Sequence, residues 1–396
     1  MKKKLAAMFL VVTMAMSLAA CGNGSTADDS TKAETESSAA EETETSAAEE
    51  SEATEESKAE ETSSSSSSSG YEIALVTDYG TIDDKSFNQG AWEGVVQYGD
   101  EFGVTYKYYQ PTEKTTDAYV ETIDLAVQGG AKIVVCPGHL FAEAVYTCQE
   151  EYPDIYFIIL DGVPANADDE VLIADNTMAI AYQEDEAGFL AGYAAVKEGY
   201  ESLGFMGGMA VPAVKRFGFG YVQGIEYAAK ELGIESVEVM YHYTGAFAAT
   251  PEAQAQAASW YESGVEVIFG CGGAVGNSVM AAAETAGKFV IGVDVDQSSE
   301  SDTVITSAVK GLSVSVYDGI KVMYDGSFPG GETSVFNAAN NGVAIVMDNA
   351  RFENFTEADY EEIFAKVASG EITIFNDTDK EVTDIPLEIV NISVVE

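Results

Sequence analysis

The sequence predicts an α/β protein of two doubly wound parallel-sheet lobes that enclose a hinged cleft. Three observations predict it. From Tyr71 onward, apolar strand-like runs alternate with helix-period stretches. The alternating region, residues 71–396, is longer than one hydrophobic core usually serves. The series also has a joint near residues 175–200, with about four β–α units on either side of it.

The strand-like runs are Ile73–Thr77, Val104–Tyr109, Lys132–Cys136, Ile155–Leu160 and Val171–Ala174, then Leu203–Met206, Val237–Tyr241, Val265–Phe269, Phe289–Val293 and Val304–Ser307. Most are near-continuous Val and Ile, as in parallel strands covered on both faces. Between them, helical periodicity marks Phe87–Phe102, Asp117–Gln128, Ala142–Glu151, Glu184–Glu198, Ala213–Leu232, Pro251–Glu262 and Val275–Ala286. A last segment carries a strand at Val343–Met347 and a helix at Glu357–Ala368, and is expected to cross back between lobes. The expected N-lobe is mainly 71–178 with a later crossing near 305–340; the C-lobe is mainly 179–304 with part of 341–396. In open α/β sheets the ligand lies beyond the carboxyl ends of the strands, so the cleft is expected there.

The N-terminus sets the compartment. Lys2, Lys3 and Lys4 precede a short apolar run, Leu5 to Met16, and then Leu18-Ala19-Ala20-Cys21. This order describes an export signal over residues 1–20, too short to be a membrane span. Cys21 resembles the lipidated cysteine of a bacterial lipobox, and two or more acyl chains anchor a protein firmly. Residues 22–70 hold 14 Asp and Glu against 2 Lys among Ser, Thr, Ala and Gly, ending in the serine run Ser63 to Ser69. Such a stretch cannot bury enough apolar surface to order itself, so a disordered acidic tether is expected. It suits a lipid anchor on the outer face of the cell membrane, under one membrane or two.

The whole chain has a net charge of −48. That excludes nucleic acid and anionic lipid surfaces as partners, since phosphates need Lys and Arg. Cys136, Cys148 and Cys271 lack metal-ligand spacing; buried thiols are expected, with a Cys136–Cys148 bridge left open. His139 and His242 are the only histidines, and no metal or other cofactor is expected.

The residues following each strand supply the candidate site. Asp78 ends the first run, and Ser86 with Gln89 reads as a capping box that places Phe87 and Asn88 in a first helical turn. Phe87 and Asn88 there suit either ring stacking with edge recognition or a loop contact with a polar first-turn residue. Asp161 and Asp294 end later strands; carboxylates there accept from paired hydroxyls, although such an Asp also caps helices, as Asp296 would. Phe217 lies about a turn past Pro212, and Phe247 offers a second loop aromatic. Gly270-Cys271-Gly272-Gly273 admits close backbone approach, but Val275 breaks a dinucleotide fingerprint. Lys310, at a strand end, either donates to a ligand oxygen, pairs with Asp294, or stays on the surface. A P-loop and a nucleophile elbow are both missing.

Several of these blocks together resemble the basic membrane protein family. They are Thr77-Asp78 with Asp83-Asp84-Lys85-Ser86-Phe87-Asn88-Gln89-Gly90, Ile159-Leu160-Asp161-Gly162, Gly207-Gly208-Met209 with Arg216-Phe217, Gly270-Cys271-Gly272-Gly273, Gly292-Val293-Asp294-Val295-Asp296-Gln297 and Thr306-Ser307-Ala308-Val309-Lys310. The resemblance covers residues 71–396. It implies the type I periplasmic-binding-protein fold, a lipoprotein that delivers a purine nucleoside to an ABC transporter permease, and no enzymatic activity. It further implies Phe87 and Phe217 as aromatic walls, with Phe247 competing for the second. Asp78 and Asn88 would meet the base edge, Asp294 and Lys310 the ribose, and Asp161 and the Gly272 backbone would lie near the sugar. A monomer is expected. The alternatives are a sugar or furanose signal serving a transporter or sensor, and an enzyme acting on nucleosides, the latter without a nucleophile–base pair to support it.

Overall fold

In the computed structural model, which describes residues 70–395, the chain threads two sheets in succession. The expected signal segment, Cys21 and nearly all of the tether lie outside the described residues. The first sheet takes β1 (Ile73–Val76), β2 (Tyr106–Tyr109), β3 (Ile133–Pro137), β4 (Tyr156–Leu160) and β5 (Thr177–Tyr182), interleaved with α1 (Phe87–Phe102), α2 (Thr116–Gln128) and α3 (Ala142–Glu151). Next come α4 (Glu184–Glu198), β6 (Ser202–Gly207), α5 (Pro212–Leu232), β7 (Val237–Tyr243), α6 (Pro251–Glu262), β8 (Val267–Cys271), α7 (Val275–Ala286), β9 (Phe289–Asp294) and β10 (Val304–Lys310). The return comprises α8 (Leu312–Tyr324), β11 (Glu332–Phe336), β12 (Val343–Ile345), α9 (Glu357–Ala368) and β13 (Val390–Val394).

The first sheet runs β11-β5-β4-β3-β1-β2 and the second β12-β10-β9-β8-β6-β7-β13. All pairs are parallel except β10 with β12. Within each lobe the leading five strands follow one order, second-first-third-fourth-fifth, so the lobes repeat a single doubly wound plan. Interior strands such as Ile73–Val76 and Ile133–Pro137 are buried at every residue, which is why they read as unbroken apolar runs.

Three corrections concern the return and the joint. Val171–Ala174 is not a sheet strand; Val171 makes an isolated bridge to Ala165, and the fifth strand of the first sheet is Thr177–Tyr182. The later crossing begins after Lys310, not near 305, because β10 pairs along β9 in the second sheet. Helix α8 then packs on α1, and β11 adds to β5. Strands β11 and β13 escaped the sequence because both are sheet edges with exposed polar positions.

The chain therefore passes between lobes at Gln183, at Gly311 and beyond Phe336. At the first passage α4 packs backbone to backbone on α5. A Cβ on Gly188 would lie 2.1 Å from the Phe217 carbonyl oxygen, and one on Gly224 would lie 1.9 Å from that of Phe189.

Candidate functional site

The carboxyl ends of strands from both sheets line one cavity of about 390 Å³. Asp78 follows β1, Asp161 follows β4, Gly272 follows β8, and Asp294 and Lys310 end β9 and β10; all five line it, with Phe87, Asn88, Phe217 and Phe247. The structure thus brings together every cleft residue expected from the sequence.

Local chemistry explains each position. Ser86 and Gln89 do not form the expected capping box. Asp84 instead accepts the backbone N–H groups of Ser86 (2.9 Å), Asn88 (3.0 Å) and Gln89 (3.1 Å), because a carboxylate at a helix N-terminus outcompetes a hydroxyl. Burial pushes the Asp84 carboxyl up to about 6, against those amide bonds. Ser86 is thereby released, and its Oγ donates across the cleft to Asp294 Oδ2 at 2.5 Å. Asn88 is largely committed inside its own lobe: its Nδ2 donates to Asp78 Oδ1 (2.8 Å) and Asp84 Oδ2 (3.1 Å), and its Oδ1 accepts the Asp78 N–H (3.2 Å). Asn88 thus orients Asp78, whose carboxyl burial raises above the ordinary range.

Lys310 is the hub. Its Nζ lies 2.5 Å from Asp161 Oδ2 and 3.5 Å from both Asp294 Oδ1 and Glu184 Oε1. The same ammonium sits 4.6 Å from the Phe87 ring centre, 5.2 Å from Phe217 and 5.4 Å from Tyr182, so three aromatic faces add cation–π attraction. Buried this way, the lysine is held well above its usual pKa by Asp161, Asp294 and Glu184, which outweigh the burial that would lower it. It is neither a surface lysine nor paired with Asp294 alone.

Phe217 and Phe247 both line the cavity, at different depths. Phe217 is buried, edge-to-face on Phe269 at 5.8 Å, while Phe247 is half-buried on a loop. Phe247 needs the neighbouring glycines: a Cβ on Gly208 would lie 2.4 Å from its ring, and Gly273 (φ 53°) abuts its backbone oxygen. Gly272, at φ 139°, holds a conformation other residues rarely adopt.

Glu184 and Arg216 are additions that strand-end reasoning did not single out. Glu184 opens α4, is fully buried, and receives Arg216 Nε on Oε2 at 2.5 Å. In a chain of only 19 Lys and Arg, an arginine just ahead of Phe217 was the available hint that a buried carboxylate lay opposite. Burial would raise the Glu184 carboxyl, yet Arg216 and Lys310 outweigh it and hold the group low. Asp161 goes the other way, pushed up to about 8 by burial, against Lys310, with Glu184 raising it further.

Asp296, His242, Cys136 and Cys148 lie away from the cavity, whereas His139 and Cys271 line it. Asp296 bonds Asn349 and caps the Ser298 N–H, and His242 Nδ1 contacts the Val395 carbonyl oxygen at 2.7 Å. Cys136, Cys148 and Cys271 are free and buried, so the Cys136–Cys148 bridge is not formed. Among the described residues no cluster of His, Cys, Asp or Glu is placed to hold a metal.

Two doubly wound lobes closing on such a cavity define the class of fold, the type I periplasmic-binding-protein fold. An ABC-system solute-binding protein from Aeropyrum pernix K1 shares that fold, with a TM-score of 0.67 and 24% identity over 77% of this chain and 93% of that one. The family model described as "ABC transporter substrate-binding protein PnrA-like" matches residues 72–377, and the chain belongs to that family. Among its relatives, the Lactococcus lactis "ABC transporter nucleoside-binding protein BmpA" is 30% identical over 71% of this chain and 82% of its own. Basic membrane protein B of Borreliella burgdorferi is 30% identical over 64% of this chain and 73% of its own. The protein is accordingly a substrate-binding component of an ABC transporter and not an enzyme.

Proposed function

We propose that the cleft captures a purine nucleoside and that the closed lobes deliver it to an ABC permease. The observation that carries this reading is one cavity with two kinds of wall: phenyl rings at Phe87, Phe217 and Phe247, and the Asp161–Lys310–Asp294 cluster. A purine needs flat apolar faces, and a ribose needs acceptors and a donor for its hydroxyls. Asp78, oriented by Asn88, meets the base edge, and the Gly272 backbone lies near the sugar. A volume of about 390 Å³ falls within the usual small-molecule range. The nucleoside-binding name of the Lactococcus relative points the same way.

In this reading Cys21 carries the lipid, residues 22–70 hold the lobes off the outer face of the membrane, and the protein works as a monomer. No helix among the described residues is long and apolar enough to cross a membrane. Titration calorimetry with adenosine, guanosine and inosine beside free ribose is the test. Binding of the nucleosides with ribose much weaker supports it; ribose binding without any nucleoside overturns it.

A further inference from the structure

The cluster around Lys310 has unequal charges. Lys310 and Arg216 supply two cations; Asp161, Glu184 and Asp294 supply three carboxyls, all buried. Asp294 accepts from Ser86 Oγ on Oδ2 and has Lys310 Nζ 3.5 Å from Oδ1. Asp161 Oδ1 and Glu184 Oε1 are both buried and accept no hydrogen bond among the described residues; Glu184 Oε1 has the Lys310 ammonium beside it at 3.5 Å, and Asp161 Oδ1 has no cation in ion-pair reach. Their partner oxygens are each taken by a cation, Asp161 Oδ2 by Lys310 and Glu184 Oε2 by Arg216. The two carboxyls flank one ammonium, Asp161 Oδ2 at 2.5 Å and Glu184 Oε1 at 3.5 Å from Lys310 Nζ, and each shifts the titration of the other. Two acceptors facing each other in a dry site repel unless a proton lies between them.

We propose that Glu184 is a positioning residue that shares one proton with Asp161 in the closed cleft, neutralising the cluster and fixing the Asp161 carboxyl and Lys310 for the ligand. The proposal rests on the cleft being the binding site. Glu184 acts through Lys310 and Asp161, since its own side chain does not line the cavity. It also stands at the first passage between lobes, while Lys310 precedes the second at Gly311. Glu186 accepts the Ala338 N–H at 2.6 Å at the third. The shared proton therefore joins the ligand site to the hinge.

Opening the cleft separates Asp161 from Lys310, which belong to different lobes, and returns Asp161 to water. Closure then takes up a proton. The sign follows from the raised carboxyl: Asp161 near 8 when closed and near an ordinary carboxylate when open favours closure at lower pH. Affinity falls by up to about tenfold per pH unit as pH rises through that window, then levels off. Other groups facing the cluster are Tyr182, Cys271, His139, Asp185 and Asp78. Tyr182 and Cys271 are pushed further up and stay neutral. His139 is lowered, by burial and then Arg216; Asp185 is pushed up to about 7 by burial, and Asp78 is raised by burial. The Asp161→Asn control below separates the pair from these three.

The experiment is calorimetry with inosine at pH 7 in buffers of differing ionisation enthalpy, on the wild-type chain, Glu184→Gln and Asp161→Asn. The wild type is expected to take up about one proton per inosine bound, and both variants close to none, because an amide supplies the missing donor permanently. Equal uptake in all three chains overturns the proposal. Infrared difference spectra at pH 7, with inosine and separately with free ribose, give a second arm: a protonated-carboxyl band is expected to appear in the wild type with whichever of the two closes the cleft, and in neither variant. If the band appears with ribose while inosine gives no heat with the wild type, the nucleoside reading falls and the shared proton stands. No band on closure of the wild type, or the same band in both variants, overturns the shared proton whatever binds.

Discussion

Asp161 and Asp294 reach the ammonium of Lys310 from opposite lobes, and both hold it from a left-handed backbone, at φ 55° and φ 68°. Each stands where its strand ends, in the fourth strand of its own sheet's plan. Aspartate tolerates this conformation better than most residues, yet it still costs on the order of 1 kcal/mol. The turn it makes aims the carboxylate into the cleft instead of along the strand. Lys310 then ties the first lobe's Asp161 to the strand on which it sits in the second.

Removing that tie should be the most damaging single change. Lys310→Met leaves three buried carboxyls facing one remaining cation, Arg216. Breaking a buried pair by removing one partner costs about 3–5 kcal/mol. Ligand affinity is expected to fall more than a hundredfold, and calorimetric unfolding should show a lower Tm in the closed, ligand-bound state.

Phe87→Ala separates base recognition from sugar recognition. The ring is half-buried over Lys310, and its loss removes stacking area worth about 1.5–3 kcal/mol. Nucleoside affinity should drop ten- to a hundredfold in titration calorimetry. A change of less than twofold would place the base elsewhere.

Ser86→Ala tests closure alone. Its Oγ donates to Asp294 across the cleft, and Asp84 already caps α1, so helix and lobe stay intact. A hydrogen bond to a charged group contributes about 1.5–3 kcal/mol. Affinity should fall about tenfold or more through a faster off-rate, measured by stopped flow, with the urea midpoint of the ligand-free chain unchanged.

Gly224→Ala addresses the scaffold. Its new Cβ would lie 1.9 Å from the Phe189 carbonyl oxygen and force α4 off α5, the helices that carry Glu184 and Arg216. Overpacking of this kind costs about 1–3 kcal/mol or more. The urea midpoint should fall, and ligand affinity with it. An unchanged midpoint would mean the helix pair has slack.

The sequence was legible wherever a residue's role follows from its neighbours along the chain. Val and Ile runs mark interior strands because both faces of a parallel sheet are buried, and the residue after each run falls at the cleft because doubly wound sheets open there. Asp78, Asp161, Gly272, Asp294 and Lys310 stand at strand ends by that logic; Phe87 and Phe217, on α1 and α5, were assigned to the cleft walls only through the family resemblance. Edge strands β11 and β13 were not, since a half-exposed strand lacks the apolar run.

Tertiary structure alone decided the partners. Ser86 looked like a helix cap, and only Asp84 folding back on the same amides frees it for Asp294, 208 residues away. Glu184 is one of three acids in the first turn of α4, where any carboxylate fills a local electrostatic role. Its meeting with Arg216 and Lys310 depends on how closely α4 and α5 approach and on where the chain passes between lobes. Local patterns determine which elements form and where they end; Coulomb and hydrogen-bond contacts between those ends exist only once both lobes are packed.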